Sequence, residues 1–170
     1  MATADDVKAR VAAAYNAAAD CYDEPANFFW ERFGRATIER LRPSTGSRVL
    51  DVCCGSGGSA LPAAEMVGPY GSVLGIDLAA RLLELARAKA AAAGLRNTQF
   101  RVGDILDLQL PESQFDAAVC VFGIFFVPIC QQRYEHFGTS FVREAGSRSR
   151  RGARASSSQR RPHSGARFVR

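Results

Sequence analysis

The sequence is poor in histidine and has no paired cysteine spacing. Its only histidines are His136 and His163, so nothing before residue 136 offers an imidazole as base or ligand. Its five cysteines, Cys21, Cys53, Cys54, Cys120 and Cys130, form no C-x-x-C pair, and a zinc site is not expected. Adjacent Cys53 and Cys54 could bridge only through a strained peptide, so reduced thiols in a cytoplasmic setting are the expectation. No stretch of about 18 apolar residues exists to cross a bilayer. The N-terminus lacks a basic region followed by an apolar block, so no signal peptide is expected. No internal repeat is visible.

What is present is uneven. The net charge of +5 hides two balances. Residues 131–170 hold ten Arg against Glu135 and Glu144, a balance of +8, which leaves −3 for residues 1–130. The basic character belongs to the tail, and nucleic-acid binding is not expected of the domain.

A length of 170 residues suits one domain. Residues 5–20 are Ala-rich with Val7, Val11 and Tyr15 at helical spacing, and 27–41 read as a second helix stopped by Pro43. The pattern then changes. Arg48–Cys53, Ser72–Asp77, Thr98–Val102 and Phe115–Phe122 read as apolar strands. Helices are predicted over about 57–67 and over 79–93, the latter ended by Gly94. Strands alternating with helices predict right-handed crossovers and a parallel sheet covered on both faces. The fold class is α/β: a Rossmann-like, doubly wound, mostly parallel sheet of about four strands. Residues 1–45 supply two leading helices as a lid, 46–128 the core, and 129–170 an Arg/Ser-rich tail expected to be disordered. Strand four would then have an exposed apolar edge, and self-association through it is expected.

The chemistry sits after strand one. Gly55, Gly57 and Gly58 let the backbone approach a ligand closely. The helix that follows offers unpaired N–H groups and a positive dipole end. Gly55-Ser-Gly-Gly-Ser-Ala60 also fits the dinucleotide pattern G-x-G-x-x-A. Asp77 ends strand two, 22 residues after Gly55, where its carboxylate can accept both hydroxyls of a ribose. NAD and S-adenosylmethionine share that ribose, so Asp77 does not separate them. Asp51, inside strand one, would oppose a pyrophosphate and suits a cationic amino group. Asp104, at the end of strand three, can accept from an adenine amino group beside Ile105. Three acids at the carboxyl ends of three successive strands line one crevice.

These motifs resemble a family. Val49-Leu-Asp-Val-Cys-Cys-Gly-Ser-Gly, Gly75-Ile-Asp77, Gly103-Asp104 and Phe115-Asp-Ala-Ala-Val are similar to the successive motifs of class I S-adenosylmethionine-dependent methyltransferases. The Cys-Cys-Gly-Ser-Gly form and the Tyr22-Asp23 pair resemble the quinone C-methyltransferase branch and its small-molecule relatives. The resemblance covers about residues 10–128 and implies S-adenosylmethionine as cofactor and a small-molecule methyl acceptor. It implies that Asp51, Cys53, Gly55, Ser56 and Gly57 hold the methionine end of the cofactor. Asp77 would hold the ribose, with Leu78 beside the adenine, and Asp104 and Ile105 would hold the adenine. Phe122 and Gly123 would line the cleft, and Tyr22 would close it. The aromatic group Phe28, Phe29, Trp30 and Phe33 reads as helix core or as the floor of a substrate pocket. A general base, if one is needed, would be Tyr15, Tyr22 or a carboxylate.

After Ile129 the family's further helix, fifth strand and closing hairpin find no match. The change to Arg, Ser, Ala and Gly resembles a GC-rich gene read in a shifted frame. The expectation is a methyltransferase with a truncated or frameshifted C-terminus and impaired activity. Two other classes remain open here: an NAD-dependent oxidoreductase, and nucleic-acid binding through the tail, which lacks the aromatic interleaving that base stacking uses.

Overall fold

The computed structural model describes residues 3–110, 114–123 and 167–169. Two helices lead. The first, α1 (Ala4–Tyr22), begins with a reciprocal cap: Thr3 Oγ1 accepts from the Asp6 N–H, and Asp6 Oδ2 accepts from the Thr3 N–H. The second, α2 (Phe29–Leu41), ends where Arg42 turns left-handed (φ 47°) ahead of Pro43. The α/β core follows as β1 (Arg48–Val52), α3 (Ala60–Val67), β2 (Ser72–Asp77), α4 (Ala80–Ala92), β3 (Thr98–Val102) and β4 (Ala117–Val119).

The strands form one parallel sheet, as the alternating pattern predicts, and their order in it is β3-β2-β1-β4. Its core joins Val49, Val73 and Val119 from the strands to Ala60, Ala63, Val67 and Leu83 from the helices. Cross-strand register pairs Asp51 with Gly75 on one side and with Val119 on the other. Strand β1 is therefore central, and chain order reverses beside it. The crevice beyond its carboxyl end is where ligands bind in open α/β sheets.

Two expectations need correction. Strand four is shorter than the apolar run Phe115–Phe122: its pairing with β1 ends at Val119, and Phe122 beyond it takes a left-handed conformation (φ 64°). A fifth strand, β5 (Arg167–Val169), pairs in parallel with β4, so the edge expected to be exposed is covered. An unpaired row of N–H and C=O groups accepts any extended segment in register. The rest of the predicted tail lies outside the described residues.

Helix α1 does not stand apart from the core. Ala19, Tyr15 and Tyr22 pack on Ala79, Leu82 and Leu85 of the β2–α4 unit. Asn16 Oδ1 accepts from the Arg81 N–H at 2.9 Å, and Asp20 pairs with the Arg81 guanidinium. The leading helix thus lies across the mouth of the crevice.

Candidate cofactor site

Four loops meet beyond the strand ends. The first runs from Cys53 to Ser59. Gly55 takes φ +54°, and a Cβ there would lie 3.1 Å from the Tyr22 hydroxyl. Left-handed backbone and close cover together demand glycine. From the other side, a Cβ on Gly34 of α2 would lie 2.3 Å from the Gly58 carbonyl oxygen. Helix α2 therefore seats its backbone directly on the glycine loop.

Asp51 lies beneath this loop and is fully buried. Its Oδ2 accepts from the Ser59 hydroxyl at 2.7 Å, while its Oδ1 has no partner among the described residues. Burial pushes its carboxyl up to about 7; the Ser59 bond opposes that shift and the Asp77 charge adds to it. An orphaned carboxylate oxygen in the interior is costly unless something cationic meets it. Ser59 was not foreseen as a site residue. Its signal was available: a serine at a helix start, where it makes no side-chain cap, eight residues after an acid in the strand.

Asp77 ends β2 as expected. Its two oxygens accept from the Gly55 and Ala79 N–H groups, each at 2.9 Å, which orients the carboxylate and leaves lone pairs for a ligand. Burial raises its pKa, and these backbone bonds oppose the rise. Asp104 follows β3. Its Oδ1 accepts from the Leu106 N–H at 2.8 Å, and Lys8 of α1 pairs with Oδ2 at 2.6 Å. Lys8 is a second residue that no motif announced.

Tyr22, Cys53, Ser56, Asp77, Leu78 and Phe122 border one cavity of about 90 Å³, together with Gly123. Of the other expected residues, Asp51 lies behind it, and Gly55, Gly57, Asp104 and Ile105 are not part of its wall. Tyr15, Trp30 and Ser59 join the wall.

The mouth is aromatic. Phe122 packs edge-on against Phe29, Trp30 and Phe33, with ring centroids 6.1, 5.5 and 5.5 Å away. Tyr22 stacks on Trp30 at 5.6 Å. Phe28 and Phe33 are exposed, so this run is not ordinary helix core. Burial raises the phenol pKa of both Tyr15 and Tyr22, so neither is a base at neutral pH. The Cys53 thiol is raised by its hydrogen bond with the Cys120 thiol and by burial, which keeps it protonated.

Comparison with known proteins agrees with this arrangement. A methyltransferase domain model matches residues 49–139. Aklanonic acid methyltransferase DauC of Streptomyces sp. (strain C5) is 37% identical over 121 residues, which cover 71% of this chain and 55% of that protein. Demethylmenaquinone methyltransferase of Listeria monocytogenes is 34% identical over 97 residues, 57% of this chain and 41% of that one. The chain thus spans about half the length of these curated relatives. Among solved structures, Haemonchus contortus phosphoethanolamine N-methyltransferase 1 shares the fold, with a TM-score of 0.62 and 21% identity over 75% of this chain and 28% of that one.

Proposed function

Since the chain belongs to the methyltransferase domain family, we propose that its crevice binds S-adenosylmethionine for methyl transfer to a small-molecule acceptor. The observation that carries this reading is Asp51, whose buried Oδ1 faces no partner among the described residues behind the glycine loop. A pyrophosphate would be repelled there, whereas the amino group of a methionine would satisfy it. The donor set therefore fits S-adenosylmethionine better than NAD.

In this reading Asp51 and the loop Cys53, Gly55, Ser56 and Gly57 hold the methionine end. Asp77 takes the ribose, with Leu78 at the adenine. Asp104 and Ile105 hold the adenine edge, Phe122 lines the cleft and Tyr22 covers it. The cavity of about 90 Å³ is smaller than the roughly 300–1,000 Å³ of whole ligand pockets, so it would take only part of the cofactor, the rest extending along the strand ends toward Asp104 and Ile105, which lie outside its wall.

The cofactor supplies a methyl group already activated by its sulfonium. The chain's part is alignment and exclusion of water, which can lower a barrier by up to about 7–11 kcal/mol. Among the described residues the wall holds no histidine, and its two tyrosines keep their protons. Such a site suits an acceptor whose nucleophile ionises easily without a strong base, such as an acidic hydroxyl or a stabilised carbanion. The exposed aromatic mouth suits a flat, apolar acceptor. DauC and the demethylmenaquinone enzymes are named as methyltransferases of aklanonic acid and of demethylmenaquinone.

No helix among the described residues is long and apolar enough to cross a membrane. Four described cysteines are free, and a reducing cytoplasm is part of this proposal.

Calorimetric titration with S-adenosylmethionine and, separately, NAD tests the reading. Heat with the first and none with the second is expected. Folded protein that binds only NAD, or neither, would overturn it.

A further inference from the structure

Lys89 belongs to no motif in the sequence and borders neither the cavity nor the aromatic mouth. It sits in the last turn of α4, where the helix dipole favours a cation. Its ammonium donates to Ser56 Oγ at 3.0 Å and pairs with Asp23 Oδ2, also at 3.0 Å. The Ser56 hydroxyl donates in turn to Asp23 Oδ1 at 2.6 Å. Three groups from three places close a triangle: Asp23 caps the end of α1, Ser56 is the middle of the glycine loop, and Lys89 is on α4.

Each role in this triangle is determined. Lysine can only donate and an ionised aspartate can only accept, so the serine hydroxyl must give its proton to Asp23 and receive one from Lys89. Ser56 is buried at 3% exposure, so its hydroxyl needs those partners. Lys89 and Asp23 are 35% and 39% exposed, and as a surface ion pair alone they would count for little. Their consequence comes through Ser56. Holding its Oγ from two sides fixes the loop peptide that borders the cavity, and ties it to the helix that covers the cavity.

We infer that Lys89 is a positioning residue for cofactor binding: with Asp23 it clamps the glycine loop, through Ser56, to the end of α1. Loop and lid then move as one unit, and closing α1 completes the loop's binding geometry. This rests on the cofactor reading above, and the test keeps the two apart.

The test uses the full chain and its Lys89→Met, Asp23→Asn, double and Lys89→Arg variants. The dissociation constant for S-adenosylmethionine is measured by calorimetry at low and high salt. Amide hydrogen exchange of residues 55–58 is measured without ligand. Each neutralising single variant is expected to weaken binding about tenfold, with the double variant no weaker than either, because all three break the same clamp. Lys89→Arg should retain most of the affinity. High salt should weaken the unaltered chain and leave Lys89→Met unchanged. Loop exchange should speed up in Lys89→Met while the amides of β2 stay protected. Unchanged affinity in Lys89→Met, or losses that multiply in the double variant, would overturn the inference. If folded, unaltered protein takes up no S-adenosylmethionine, the functional reading fails instead; loop exchange then decides the clamp, and unchanged exchange overturns it.

Discussion

Asp51 is the residue at which fold and function pull in opposite directions. Its carboxyl is raised from 3.8 to about 7, chiefly by burial. Between those values the folded chain holds a proton that the unfolded chain has released. Stability should then fall as pH rises from about 4 to 7 and level off above, by on the order of 4 kcal/mol. Asp77, also raised by burial, contributes with the same sign. Asp51→Asn should flatten much of this slope and make the free protein more stable at pH 8, as read from urea midpoints across pH. The same variant should lose S-adenosylmethionine affinity, since a neutral amide no longer answers a cation. In the unaltered chain, a cation against Asp51 favours its ionised form, so binding should release a proton near pH 6.5. Calorimetry in buffers of different ionisation enthalpy counts that proton, and uptake instead of release would contradict the pairing. The presence of an acid at position 51 was legible from the strand pattern. Its protonation was not, because the Ser59 hydroxyl and the surrounding burial come from the folded interior.

At the level of elements, the α2–loop contact does what no single side chain can. Gly34 brings the α2 backbone against Gly58, with no room for a methyl group. Gly34→Ala should push the helix off the loop and cost about 1–3 kcal/mol in urea unfolding, with weaker cofactor binding. Gly46→Ala provides the contrast: φ is +83° but nothing lies within 4 Å, so its cost is backbone strain and stays near 1 kcal/mol without touching the site. Element type and order were legible throughout the core, because apolar strands alternated with helical periods. Strand β2 spans Ser72–Asp77, as the pattern predicts, and α1 runs Ala4–Tyr22, slightly longer than predicted. The end of β4 was not legible. An apolar run carries no mark of where the backbone turns, and Phe122 turns to reach the α2 aromatics. Nor were the ties across elements, such as Lys8 to Asp104, since long polar side chains leave no period behind.

For the molecule as a whole, the consequential question is what closes the sheet. Strand β4 is three residues long, and its three residues are buried. On one side β1 pairs with it, and on the other β5 supplies the parallel partner through Ala117–Arg167, Ala118–Phe168 and Val119–Val169. Composition pointed away from this, because the Arg-rich stretch in which β5 sits lacks a sustained apolar period. Within β5 itself, Phe168 and Val169 have strand-forming character. If that short strand is what covers the β4 edge, removing residues 167–170 should uncover three apolar residues and their free backbone groups. The shortened chain should then associate by edge pairing. Sedimentation velocity over a concentration series should show the intact chain holding its sedimentation coefficient while the shortened one shifts toward a dimer. S-adenosylmethionine binding should change little, since Asp51, Asp77, Asp104 and the glycine loop follow β1, β2 and β3, none of which pairs with β5. A shortened chain that stays monomeric, yet loses cofactor, would place the role of β5 at the site rather than at the edge.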